Sequence, residues 1–197
     1  MKTTLAKYIS NILNPFLIAV IIIILLSLKE GDGIENMVAW LFITIGISVA
    51  PVLIIVYLLV RMKKLDSFFS NPREQRNIVY VLASIIGIID CVIIWYLKAP
   101  KLLAVIFTAG SIAVVLFLII NCFWKISLHT AFVTATIVIL IIEYGPWALF
   151  TAAALPLVAW SRLVLKQHNI MQVAIGSLLA AVIVFGVFWG FGMLGSG

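Results

Sequence analysis

The stretch KLLAVIFTAGSIAVVLFLIINC, residues 101–122, carries one charged side chain at its first position and none in the 21 residues that follow. A helix of about 20 apolar residues crosses the hydrocarbon core of a bilayer, where the backbone must satisfy its own hydrogen bonds. Six more runs of similar character occupy about 11–28, 37–60, 77–97, 128–143, 146–161 and 170–194. The sequence therefore predicts an all-α, polytopic transmembrane helical bundle with six or seven spans.

The composition supports an integral membrane protein. Hydrophobic residues make up 65% of the chain and charged residues 10%, and the mean hydropathy is +1.29, whereas soluble domains are about 45–50% apolar. No repeat or linker is visible, so we expect one transmembrane domain over 1–197 with a motif-bearing core at about 60–180. The net charge of +6 comes without a basic block interleaved with aromatic residues, and we expect no nucleic-acid partner.

The span count depends on the sequence EYGP, residues 143–146. Proline cannot continue a helix, and it biases the preceding residue away from the α region. The two runs that meet here total about 33 residues, which is far too long for one crossing. We therefore favour two helices joined by a turn over one kinked segment.

With seven crossings, four hydrophilic segments share one membrane face: the N-terminus and residues 61–76, 123–127 and 162–169. Lys and Arg number ten on this face and three on the other, where they are Lys29, Lys98 and Lys101. Because Lys and Arg concentrate in cytoplasmic loops, we predict that the basic face is the cytoplasmic side of the cell membrane. Both histidines of the chain lie on it.

Three segments on this face hold candidate functional residues. They are KKLDSFFSNPREQRN (63–77), WKISLHTA (124–131) and WSRLVLKQHNIMQVAIG (160–176). Fixed cations can stabilise the charge of a transferring phosphoryl group, and arginine matches phosphate oxygens bidentately. One histidine can attack phosphorus while another protonates the leaving oxygen. This inventory favours metal-independent phosphoryl transfer, and helix starts near Ser127 and Asn169 could add backbone N–H donors.

These segments resemble the motifs of the type 2 phosphatidic acid phosphatase superfamily. SRLVLKQH fits the S-R-x5-H pattern, KISLHTA is similar to the P-S-G-H segment, and 63–77 resembles the Lys- and Arg-rich first motif. The resemblance implies a lipid phosphatase without a cofactor, acting on a phosphatidate-like phosphomonoester or a prenyl diphosphate. It implies His168 as the nucleophile that forms a phosphohistidine and His129 as the general acid.

The same resemblance implies a set of phosphate-binding residues. Arg162 and Ser127 would hold phosphate oxygens, and Arg73 or Arg76 would match the arginine of the first motif, with Lys64 as a possible partner. Lys125 is added from its position alone. For Arg73 and Arg76 a solvated loop is an equal alternative, and Lys64 also fits a charge that sets topology or faces the lipid surface.

The chain departs from the family pattern at several positions. Gln172 stands where the third motif has Asp, four residues after His168, and Ile126 and Leu128 replace the usual Pro and Gly of the second motif. The Gln172 amide oxygen can accept the Nδ1 hydrogen of His168 but carries no charge. If the helix continued back through 162–169, Ser161 and Leu165 would share one stripe with His168, Gln172 and Gly176.

Two other functions are compatible with the sequence. The fold could be kept without hydrolysis, as a catalytically impaired lipid-phosphate-binding or scaffold protein. A transporter or channel would need a polar path across the bilayer, for which the chain offers mainly Asp90, Ser48 and Asn121. The two cysteines, Cys91 and Cys122, lie in apolar runs and indicate neither a disulfide framework nor a metal site.

Overall fold

The computed structural model describes residues 1–30, 33–68 and 72–194, apart from the side chains of Glu30 and Arg73. Across these ranges the regular structure is helical, with no strand. The α-helices of the described ranges are α1 Lys2–Ile12, α2 Pro15–Glu30, α3 Ile34–Thr44, α4 Ala50–Arg61, α5 Arg73–Tyr96, α6 Lys101–Phe123, α7 Leu128–Tyr144, α8 Ala154–Val164 and α9 Ile170–Gly190. A π-helical turn joins α3 to α4, and a 3₁₀ segment leads into α8.

Five helical stretches within the described ranges are long and apolar enough to cross a membrane. They are Ile34–Arg61, Glu74–Tyr96, Lys101–Phe123, Pro146–Val164 and Ile170–Gly190. The pair α1 and α2, bent by 40°, can count as a sixth. Helix α7 is apolar but has 17 residues, a length of about 26 Å at 1.5 Å per residue. The predicted all-α transmembrane class is confirmed, and the chain is an integral membrane protein.

The EYGP sequence separates two helical segments, as expected. Helix α7 ends at Tyr144, and Gly145 has φ of 75°, a left-handed backbone that favours glycine. Its N–H donates to the carbonyl of Ile141 at 2.9 Å, and Pro146 opens the 3₁₀ segment that leads into α8. The prediction of two helices here, rather than one kinked segment, is confirmed.

Within the described ranges, three helices are followed by a lysine in the left-handed region. Lys63, Lys98 and Lys166 have φ of 56°, 54° and 53° and follow the last turns of α4, α5 and α8. Glycine is usual at this position, because a side chain there costs roughly 1 kcal/mol; Gly192 occupies it after α9. A positive charge is favourable at a helix C-terminus, which offsets part of that cost.

Contacts between Cα atoms divide the chain into two compact units. The first unit comprises Met1–Ala19 and Lys125–Gly197, and the second comprises Val20–Trp124. The expectation of one transmembrane domain stays a prediction.

In the first unit, α7 and α9 run side by side in the same direction. Gly176 of α9 allows this approach: a Cβ atom placed there would lie 2.9 Å from the carbonyl oxygen of Ser127. A buried cluster of Ile18, Val133, Ile137 and Val158 forms an apolar core in the same unit. The close approach brings the first turns of α7 and α9, with their polar residues, to one end of the unit.

In the second unit, α5 and α6 form an antiparallel pair joined near both ends. At one end Asn121 Nδ2 donates to Asn77 Oδ1 at 2.7 Å, and at the other Trp95 Nε1 donates to Thr108 Oγ1 at 3.0 Å. Gly87 permits close packing between them, since a Cβ atom there would lie 3.3 Å from a methyl carbon of Val114.

Candidate active site

The predicted site residues fall in both units. The first unit contains Lys125, Ser127, His129, Arg162, His168 and Gln172, and the second contains Lys64, Arg73 and Arg76. Within the first unit, the residues belong to three segments: the start of α7, the end of α8 and the start of α9.

The start of α7 is bound to the start of α9. Ser127 caps α7, accepting the Thr130 N–H at 3.5 Å, and its own N–H donates to the Gln172 carbonyl at 3.2 Å. Thr130 Oγ1 lies 3.3 Å from the Val173 carbonyl. His129 lies in this turn and is 4% exposed. The two predicted helix starts are confirmed, and His129 and Gln172 lie at the same end of the α7–α9 pair.

Gln172 forms a capping box with Asn169 at the start of α9. Asn169 Oδ1 accepts the Gln172 N–H at 2.9 Å, and Gln172 Oε1 accepts the Asn169 N–H at 3.2 Å. The same Oε1 atom lies 3.1 Å from Nδ1 of His168. A neutral amide oxygen can only accept, so Nδ1 carries the hydrogen and, in the neutral ring, Nε2 carries the lone pair. The backbone donor also determines which end of the amide is the oxygen.

The chain between α8 and α9 reverses direction instead of continuing as a helix. Helix α8 ends at Val164, and Lys166 takes the left-handed conformation. The N–H groups of Gln167 and His168 then return to the Arg162 carbonyl, at 3.1 and 3.4 Å. The continuous stripe considered from the sequence does not form. His168 and Gln172 meet through the capping box, because the turn places His168 directly before the cap residue.

The guanidinium of Arg162 is buried in the first unit, with the residue 6% exposed. Its Nη1 donates to Ser10 Oγ of α1 at 2.6 Å, and its Nη2 donates to Gln167 Oε1 at 3.5 Å. Sequence reasoning missed Ser10. The available signal was the pair Ala6 and Ser10, two small residues four apart in a helix whose other side chains are mostly larger.

Other predicted residues occupy different settings. Lys125 is partly exposed in the short link before α7, and Lys64 is exposed just after α4. Arg76 is buried in α5, where its Nη2 donates to Tyr80 Oη at 3.0 Å and its guanidinium lies 5.6 Å from the Tyr80 ring centroid. Arg73 opens α5, but its side chain lies outside the described residues.

The first unit thus contains the His168 imidazole, whose Nδ1–H donates to Gln172. It also contains the buried His129 imidazole and the buried Arg162 guanidinium. Nδ1–H donation leaves the lone pair on the other ring nitrogen of His168, which is the atom that a histidine nucleophile would use. The Arg162 guanidinium supplies charged donors of the kind that bind phosphate oxygens.

Comparisons with protein-family models, with curated proteins and with solved structures found no match to this chain.

Proposed function

We propose that this protein is a membrane-embedded, metal-independent lipid phosphate phosphatase. Its substrate is a lipid phosphomonoester or diphosphate, of the phosphatidate or prenyl diphosphate kind. The observation that carries the proposal is the 3.1 Å contact between Gln172 Oε1 and His168 Nδ1. The backbone N–H of His168 also donates to the carbonyl of Arg162.

The reaction would run in two steps. In the first, Nε2 of His168 forms a bond to phosphorus, the bond from phosphorus to the leaving oxygen breaks, and protonated His129 gives that oxygen its proton. In the second, a water oxygen forms a bond to phosphorus, neutral His129 takes a proton from that water, and the bond from phosphorus to Nε2 breaks, which releases phosphate and restores His168. Arg162 would bind phosphate oxygens in both steps. Ser127 and Lys125 of the same unit are proposed as further phosphate ligands.

The experiment uses the full chain, purified and reconstituted in nanodiscs, with phosphatidate or a prenyl diphosphate in EDTA. We expect phosphate release, which His168→Ala abolishes, and an acid-labile, alkali-stable phosphoryl adduct on the wild type. A matched control is Gln75→Ala in the second unit, which should keep its activity. Absence of release from every lipid phosphate tried, or full activity in His168→Ala, would overturn the proposal.

The role of His129 has a separate test. General acid catalysis contributes roughly 10²–10⁴ in rate, and a good leaving group does not need it. In single-turnover measurements, His129→Ala should therefore slow formation of the phosphoryl adduct on His168 far more with phosphatidate than with p-nitrophenyl phosphate. Equal losses with both substrates would argue that His129 has another role.

One observation favours a second function, lipid-phosphate binding without turnover. The Gln172 side chain accepts the Nδ1 hydrogen of His168 but carries no negative charge that could stabilise an imidazolium. For this alternative we expect lipid phosphate to bind, binding to fall in Arg162→Met, and no phosphate to be released. Phosphate release by the wild type would exclude it.

The proposal also places the active-site face in the cytoplasm, at the cell membrane. The orientation of this face can be measured in intact cells with the variant Lys166→Cys, made in a chain whose native cysteines are removed by Cys91→Ala and Cys122→Ala. A membrane-impermeant maleimide should label position 166 only after the cells are lysed. Labelling of intact cells would reverse the orientation.

A further inference from the structure

Helix α1 has a buried face and an exposed apolar face, and the proposed reaction gives no role to the exposed face. Ala6 and Ser10, four residues apart, are its buried residues, and α1 packs against α8. Leu5, Tyr8 and Ile12 are 54%, 64% and 61% exposed. Because they are spaced at i, i+3 and i+7, these three side chains form one apolar stripe on a different face.

The length and the connection of α1 restrict where it can lie. Eleven residues extend about 16 Å, roughly half of a hydrocarbon core. Asn14 forms the corner that follows: its Nδ2 donates to the Asn11 carbonyl at 2.5 Å, and its Oδ1 accepts the Leu17 N–H at 2.9 Å. Helix α2 begins at Pro15 on the far side of this 40° bend and is strongly apolar. The corner therefore joins a short amphipathic helix to a membrane helix.

The charge of α1 indicates the kind of surface that it meets. Lys2 and Lys7 are both exposed, and the helix contains no acidic residue. Short helices with an apolar stripe and flanking lysines lie in the interface of a bilayer, where anionic head groups attract the lysines.

We propose that α1 is an interfacial helix that docks on an anionic leaflet. Leu5, Tyr8 and Ile12 enter the boundary between head groups and acyl chains, and Lys2 and Lys7 bind anionic head groups. Ser10, on the opposite side of the helix, keeps α1 attached to Arg162. This proposal does not depend on hydrolysis.

The test uses nitroxide labels on the full chain with Cys91→Ala and Cys122→Ala. Leu5→Cys and Thr3→Cys are a matched pair, since they are two residues apart and about 160° apart around the helix. In vesicles of phosphatidylcholine with one quarter phosphatidylglycerol, the label at 5 should be accessible to oxygen and protected from a nickel chelate. The label at 3 should show the reverse.

Three outcomes would overturn the proposal. The first is equal accessibility of the two labels. The second is protection of the label at 5 from both reagents with spin–spin broadening, which would assign the stripe to a second copy of the chain. The third is measured with the labels in a double variant that carries both Lys2→Gln and Lys7→Gln. We expect this variant to reduce the contrast between the labels in anionic vesicles to the contrast measured in pure phosphatidylcholine, and an unchanged contrast would refute the lysine contribution.

Discussion

Gln172 and His168 are joined side chain to side chain, with Oε1 of the glutamine 3.1 Å from Nδ1 of the histidine, while the same oxygen closes a capping box with Asn169. One amide therefore begins helix α9 and also selects the tautomer of the proposed nucleophile. We therefore expect changes at residue 172 to affect stability and the proposed activity by separable routes.

Gln172→Glu keeps the length of the side chain and its ability to form a capping box. It adds a negative charge beside His168 and near the N-terminus of α9, which stabilises both an imidazolium and the helix. We expect unchanged or slightly increased thermal stability and a rise in phosphate release of at least about tenfold, given that the related Asp-to-Asn change in a serine-protease triad costs about 10⁴. Gln172→Leu should lower both quantities. A decrease in phosphate release by Gln172→Glu with stability intact would contradict this role for residue 172.

Ser10→Ala should destabilise the protein. The substitution removes an acceptor from a buried guanidinium, and leaving a buried charged donor without that acceptor costs roughly 1–3 kcal/mol. The measurement is a denaturant titration of the purified protein in detergent, followed by tryptophan fluorescence. Thr4→Ala on the exposed side of α1 is the control and should stay within about 0.5 kcal/mol of the wild type. If both variants unfold at the same denaturant concentration as the wild type, the contact between Ser10 and Arg162 does not stabilise the fold.

Gly176→Ala should destabilise the pairing of α7 with α9. The added methyl group would lie 2.9 Å from the Ser127 carbonyl oxygen, and because that oxygen is backbone, the helices must separate. Such overpacking costs typically 1–3 kcal/mol. Gly186→Ala on the same helix meets nothing within 4 Å and should be neutral or stabilising by up to about 1 kcal/mol. Equal thermal stability of the two variants would show that the close approach at Gly176 is not required.

Lys166→Gly should stabilise the turn that carries His168. Glycine adopts the left-handed backbone without the side-chain penalty, so we expect a gain of about 0.5–1 kcal/mol, reduced by the loss of the lysine charge at the end of α8. Lys166→Val should destabilise the turn, because a β-branched residue is poorly tolerated at positive φ. Unfolding curves in detergent for both variants would test this, and the opposite order of stability would show that the left-handed turn is absent.

The sequence predicted much of the local structure around the site. The helix starts at Ser127 and Asn169 and the break at Gly145 could be read from it, since capping residues and proline act over one turn and need no distant partner. The contact between His168 and Gln172 was also expected, although from helical spacing. The structure forms it through a capping box after a reversed turn, because Lys166 adopts a left-handed backbone that the sequence pattern does not reveal.

The sequence by itself determined the long apolar helices and the membrane class of the chain, whereas the short helix α1 and the break before α2 were not predicted. In a bilayer every backbone polar group must be satisfied within its own segment, so a run such as 101–122 is helical whatever its neighbours are. Only the tertiary structure decided that the Arg162 guanidinium binds a serine 152 positions earlier in the chain and that the first turns of α7 and α9 touch at Gly176. These contacts depend on which helix faces pack together. Apolar helices pack by the complementarity of their shapes, and the sequence alone does not reveal which faces are complementary.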